Sequence, residues 1–228
     1  MTMRLLVFGL ILFLSGCGGT REPGEPAPAE RRPPPGVYAG TFPCANCAGI
    51  DTTLWLRSDG RFFFRQRYLD AREAELGGYN LGRWRWSAES GLVLAGAGPV
   101  RRFTLLSDGR LEMITATGLD HLLERERGAP DFVDRIRLDG RVVLEDGQLR
   151  LTECLSGLSA ELRGGEDHAR LRQRLRSLVG YGAPALVELE GRFMWTSTGR
   201  ASALTVDRFF SIRPDGGCMP TADWTDLI

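Results

Sequence analysis

A mainly β protein with one helix is predicted for this chain by three observations. Short apolar or alternating runs recur through residues 36–228, Asp-Gly dipeptides punctuate them, and helical periodicity is convincing over one stretch alone. Alternation with period two sends successive side chains to opposite faces of a strand, and Asp-Gly tolerates the positive φ of tight hairpins.

The chain starts outside that pattern. Met1-Thr2-Met3-Arg4 forms a positive end, Leu5 to Leu14 an apolar run, and Ser15-Gly16-Cys17 a small-residue close. This is the tripartite form of a signal peptide, and the run is too short for the ~20 residues that span a bilayer as a helix. Residues 1–16 are therefore expected to be removed. Leu14-Ser15-Gly16-Cys17 resembles the bacterial lipobox, in which the cysteine sulfur receives a diacylglycerol, so Cys17 is the predicted lipidation site. Cleavage elsewhere would leave an unpaired thiol in an oxidising compartment. A second acyl chain on the new amino group would complete a stable membrane anchor. Gly18, rather than an acidic residue, follows the cysteine; by resemblance to Gram-negative sorting rules this favours the outer membrane and a periplasm-facing body.

Residues 17–35 form the predicted tether. Pro23, Pro26, Pro28 and Pro33 to Pro35 stand among arginines and glutamates, with no aromatic residue, so the segment cannot bury apolar surface. The remaining residues, about 190, suffice for one large or two small domains. All 29 positive charges are arginine, balanced by 29 acids. The absence of lysine excludes a phosphate-binding P-loop and a lysine nucleophile. Interspersed charge with a net of zero indicates neither a nucleic-acid partner nor an acidic-lipid surface.

Residues 36–127 read as a small barrel or sandwich. Thr53 to Arg57 and Phe62 to Arg65 flank Ser58-Asp59-Gly60-Arg61, while Phe103 to Leu106 and Leu111 to Ile114 flank Ser107-Asp108-Gly109-Arg110. Trp84-Arg85-Trp86, Leu92-Val93-Leu94 and Leu122 to Arg125 add further strands. The repeated Ser-Asp-Gly-Arg is explained by hairpin geometry. Residues 128–228 read as a second small β unit of the oligonucleotide/oligosaccharide-binding type, with hairpins at Asp139-Gly140 and Asp146-Gly147 and strands over 186–193 and 204–212. Its one helix spans 166–179, with Leu171, Leu175, Leu178 and Val179 on one face and arginines at 170, 172, 174 and 176 mostly elsewhere.

Beyond Cys17 the chain carries Cys44, Cys47, Cys154 and Cys218, an even count that allows three connectivities. One of these keeps each pair within a predicted unit, Cys44 with Cys47 and Cys154 with Cys218; the second pair reads as a structural disulfide. Cys44-Ala45-Asn46-Cys47 can form a tight disulfide, exchange with another thiol, or offer two thiolates to copper(I). Zinc would need four ligands, and His121 and His168 are the sole imidazoles. A strand, not a helix, follows the pair, which argues against thioredoxin-like catalysis.

Val37-Tyr38-Ala39-Gly40-Thr41-Phe42-Pro43-Cys44-Ala45-Asn46-Cys47-Ala48-Gly49-Ile50-Asp51-Thr52-Thr53-Leu54 closely resembles the N-terminal signature of the NlpE family of copper-resistance lipoproteins. Gly82-Arg83-Trp84, the second Asp-Gly hairpin and Leu122 to Arg125 follow in the order of that domain. The resemblance implies a lipocalin-like β-barrel, an outer-membrane lipoprotein, and a role in envelope stress sensing and copper tolerance. In enterobacterial members the signal is relayed to the Cpx sensor kinase system, so an envelope sensor kinase is the implied partner. Thr152 to Gly157, Leu189 to Phe193 and Val206 to Phe210, followed by Cys218, resemble the C-terminal region of related lipoproteins.

No catalytic motif is written. Ser156 lacks a Gly-x-Ser-x-Gly elbow, no His-Glu-x-x-His pair is present, and Gly96-Ala97-Gly98 has neither a third glycine nor a following helix. No resident cofactor is expected. If copper is bound, Cys44 and Cys47 are its candidate ligands; the cavity of the first barrel is the alternative small-molecule site. Trp55, Trp84 and Trp86 are predicted to pack in the core or to line the barrel mouth.

Overall fold

Eight strands of the first half close on themselves. In the computed structural model, which describes residues 31–70, 78–116, 118–128, 132, 135–196 and 200–218, these are β1 (Gly36–Phe42), β2 (Gly49–Leu56), β3 (Arg61–Leu69), β4 (Gly78–Ser87), β5 (Gly91–Gly96), β6 (Arg101–Leu105), β7 (Leu111–Met113) and β8 (Leu122–Glu126). Each pairs antiparallel with the next, and β8 returns to β1 through Val37↔Glu126 and Ala39↔Glu124. Closure leaves the barrel no free edge. Cys17 and most of the tether lie outside the described residues, but the end of the tether is held: the Tyr38 hydroxyl donates to the Pro34 carbonyl at 2.7 Å and Arg125 to that of Pro35 at 3.3 Å. Burial pushes the Tyr38 hydroxyl up to about 12, against the lowering field of Arg125.

The strand sequences explain which way the side chains point. Tyr38, Phe42, Leu54, Leu56, Phe62 and Phe64 fill the interior with Leu92, Leu94 and Phe103, so the barrel holds a packed core. Trp84 and Trp86 pack against that core from inside, the indole N–H of Trp84 reaching the Arg57 carbonyl at 3.0 Å. Where β4 meets β5, Gly82 faces Gly96, and a Cβ on Gly82 would lie 2.1 Å from the Ala95 carbonyl oxygen. A side chain there would force the two strands apart.

Both Ser-Asp-Gly-Arg segments make the same turn. Asp59 accepts from the Arg61 amide at 3.2 Å and Asp108 from that of Arg110 at 3.1 Å, and each aspartate also pairs with its arginine guanidinium. A short polar side chain caps the turn, which needs no functional explanation.

Among the described residues, the second half is a seven-stranded sheet with one helix. β9 (Ile136–Glu145), β10 (Gln148–Glu153), β11 (Ser159–Leu162), α1 (His168–Leu178), β12 (Ala185–Gly191), β13 (Phe193–Trp195), β14 (Ala201–Leu204) and β15 (Arg208–Arg213) assemble in the order β13-β14-β11-β10-β9-β12-β15. The β11–β14 pairing is parallel. Strict alternation in β9 turns Ile136, Leu138, Val142 and Leu144 to the core, where Leu171 and Leu175 of α1 join them.

Three local readings of the sequence change here. Asp139-Gly140 is no hairpin: it lies inside β9, with Gly140 paired to Val187 on one side and Glu153 on the other. The Leu151 side chain occupies the space a Cβ on Gly140 would need, at 2.2 Å. The expected strand over 204–212 is interrupted at Thr205 to Asp207, whose amides bond the carbonyls of Arg192, Gly164 and Glu190 as the chain passes from β14 to β15. The helix is shorter than its periodicity suggested, and Leu178 on its last turn is exposed.

Barrel and sheet share a core. Phe63 and Leu81, on the outer face of the barrel, belong to the cluster that contains β9, β10 and α1. Trp55 and Phe63 pack among Phe132, Phe193 and Trp195, with ring centroids 5.0–6.0 Å apart and mostly tilted or edge-to-face. Arg61 donates to the carbonyls of Ser156 and Gly157, both at 3.0 Å.

Candidate functional site

Two places gather the residues with chemical character. The first is the barrel end where β1 turns into β2. Cys44 and Cys47 are bonded there, with Cα atoms 5.4 Å apart. The Cys47 sulfur lies 3.1 Å from the Gly49 carbonyl oxygen; a disulfide sulfur has no proton, so this is a contact rather than a hydrogen bond. Gly49, at φ 154°, lets β2 begin against Thr41, whose methyl would stand 2.5 Å from an added Cβ. The Ala48 amide bonds the Leu69 carbonyl, tying the loop to the end of β3.

The rim at this end is apolar and open to solvent. Tyr68 and Leu69 at the end of β3, and Ile114 and Leu119 after β7, are 38–59% exposed. His121 sits edge-on to Phe42 at 4.8 Å, and its Nδ1 lies 2.7 Å from the Leu119 carbonyl oxygen, so its ring braces this loop. Just inside, the Arg101 guanidinium lies 4.6 Å from the Phe64 ring centre, and burial lowers its affinity for the proton. Among the described residues, no three His, Cys, Asp or Glu side chains gather where they could share a metal ion. His168 lies in the other half, its Nε2 3.0 Å from the Leu162 carbonyl.

The second place is a cavity of about 570 Å³ between the outer face of the barrel and the second sheet. Tyr79, Leu81, Ile136, Leu138 and Leu186 form its apolar wall; Glu153, Cys154 and Cys218 stand at one side. Cys154 and Cys218 are bonded, with Cα atoms 5.2 Å apart. Glu153 is 2% exposed and accepts from the amides of Leu155 and Ser156 at 2.9 and 2.6 Å and from the Ser156 hydroxyl. Burial raises its pKa, and those donors oppose the shift without cancelling it.

A carboxyl whose folded pKa is raised binds its proton more tightly in the folded chain than in the unfolded one. Its favourable contribution is complete below the ordinary value of 4.5 and disappears as pH rises through the raised folded value. Relative to Glu153→Gln, wild type should therefore gain stability between pH 7 and pH 4. Urea midpoints for both proteins at the two pH values measure this, and a difference that does not move with pH contradicts the assignment.

Sequence reasoning singled out the cysteines but missed Glu153, Phe63 and the junction cavity. Trp55, expected in a core or at a barrel mouth, packs at the junction. The signal for Phe63 was present: Phe62-Phe63-Phe64 is apolar on both faces of one strand, which requires cover on the outside as well as inside.

Residues 38–120 match the NlpE N-terminal domain family. Lipoprotein NlpE of Escherichia coli (strain K12) is 27% identical over 190 residues, covering 79% of this chain and 78% of the relative. Among solved structures, the Cpx pathway activator NlpE from Escherichia coli matches at 24% identity and a TM-score of 0.34, over 82% of this chain and 100% of that one. A lipoprotein from Shewanella oneidensis matches at 28% identity and a TM-score of 0.33, over 41% of this chain and 89% of its own. Residues 38–120 are thus similar to NlpE N-terminal domains, and the chain as a whole is similar to lipoprotein NlpE along most of its length.

Proposed function

We propose that this chain is an outer-membrane lipoprotein of the NlpE type, anchored through Cys17 with its body in the periplasm, that acts in envelope stress sensing and copper tolerance through an envelope sensor kinase. The observation that carries the reading is the exposed apolar rim around the Cys44–Cys47 loop. A protein that relays a signal by contact needs such a surface and no catalytic centre. Similarity to lipoprotein NlpE along most of both chains supports the same reading. Residues 36–127 then form the sensing domain and residues 128–228 a second domain buttressing it; among the described strands, backbone pairing does not cross between the two sheets.

A second reading, a small-molecule binder, is favoured by the junction cavity rather than by the filled barrel. Copper(I) at Cys44 and Cys47 would first require reduction of the disulfide, because copper(I) takes thiolates.

Copper sensitivity and envelope-stress reporter output, compared at matched protein levels, test the proposal. The deletion strain should lose both responses. Cys44→Ala with Cys47→Ala should cost little stability, because a sequence separation of 3 closes a ring too short to remove much chain entropy, yet should lose the stress response. A double variant that behaves as wild type while the deletion does not leaves the rim, without the disulfide, as the working element. A deletion without phenotype refutes the proposal.

A further inference from the structure

We infer that α1 is a docking face for an anionic lipid surface. The chain as a whole is neutral, with 29 positive and 29 negative side chains, but the helix departs from that balance. His-Ala-Arg-Leu-Arg-Gln-Arg-Leu-Arg-Ser-Leu holds four arginines and no acid. Arg170 is paired with Asp167, and the Arg176 guanidinium lies over the Tyr181 ring at 4.9 Å. The side chains of Arg172 and Arg174 are exposed and make no ion pair or hydrogen bond among the described residues.

The geometry suits a flat partner. Leu171 and Leu175 face the sheet and are buried. At about 100° per residue, Arg170 and Arg174 fall on one flank and Arg172 and Arg176 on the other, on either side of Ala169, Gln173 and Ser177. Those three are exposed, short or uncharged, so they form a low ridge past which long side chains on both flanks can reach the same plane. Guanidinium groups bind phosphate oxygens in bidentate pairs, and a headgroup layer presents phosphates across a plane. Just past the C-terminal end of the helix, Tyr181, 60% exposed, offers the amphipathic contact of an interfacial element. This residue favours a lipid surface over an acidic protein, which would match the charge alone. In the cell the contact rests on the proposed anchor at Cys17, whose tether of 19 residues (17–35) could span roughly 60 Å when extended. The test removes that dependence.

The mature, unacylated chain, residues 18–228, retains every described residue. Its sedimentation with phosphatidylcholine vesicles, with and without phosphatidylglycerol, is compared at low and high salt. Binding should require phosphatidylglycerol and weaken with salt. Combined Arg172→Gln, Arg174→Gln and Arg176→Gln should weaken it by roughly fivefold per arginine, while the three Arg→Lys changes should retain it. Circular dichroism of each variant confirms the fold. Equal binding to neutral vesicles, no binding at low salt, or undiminished binding by the glutamine variant overturns the inference. Retention on immobilised polyglutamate without retention on anionic vesicles overturns it in favour of an acidic protein partner.

Discussion

Phe63→Ala should destabilise the protein by about 3–5 kcal/mol, the range for truncating a buried aromatic side chain. Phe63 is 1% exposed although it points out of the barrel, because Phe132, Phe193 and Trp195 cover it at centroid distances of 5.9, 5.8 and 5.0 Å. Its removal opens a void that rigid strands on both sides cannot refill. The same contacts join barrel and sheet, so the effect should couple to Trp195→Ala: the double variant should depart from additivity by about 0.5–3 kcal/mol. Urea unfolding of the two single variants and the double variant measures both quantities. A loss under about 1 kcal/mol for Phe63→Ala, far below the cost of emptying a packed site, would show that the junction is not packed in solution.

Cys154→Ala together with Cys218→Ala should cost about 4 kcal/mol by the chain-entropy account, because the bond closes a loop with a sequence separation of 64. That loop contains β11, α1 and β12 to β15, so most of the second sheet is shortened in the unfolded ensemble. The bond also holds the segment after β15 against the junction cavity, where Gly217 and Cys218 form part of the wall. Unfolding of the oxidised wild type, the reduced wild type and the double variant should place the last two together and well below the first. Equal stability of all three would mean that the ring does not constrain the unfolded chain. Non-reducing peptide mapping that linked Cys47 to Cys154 would contradict the pairing itself.

Local chemistry by itself determines a good deal of this protein. Asp-Gly at 59–60 and 108–109 specifies turns because neighbouring backbone and side-chain groups alone decide them, and runs such as Leu54-Trp55-Leu56 specify strands. One helix among strands follows from Leu171 and Leu175 at i and i+4, and the signature from Val37 to Leu54 is enough to suggest the family. Asp139-Gly140 shows where that logic stops. The same dipeptide sits in a continuous strand because β10 and β12 flank it and Leu151 occupies the space beside Gly140, contacts that no local window contains. The candidate site divides in the same way. That Cys44 and Cys47 are neighbours in the chain is plain from the sequence; that an apolar rim from β3 and the segment after β7 surrounds them depends on barrel closure. Likewise, three phenylalanines in a row announce that Phe63 must be covered, but only the docking of a second sheet supplies Phe132, Phe193 and Trp195. Local preference acts over a few residues and is read directly, whereas burial is settled by surfaces that meet from distant parts of the chain, and those exist once the chain has folded.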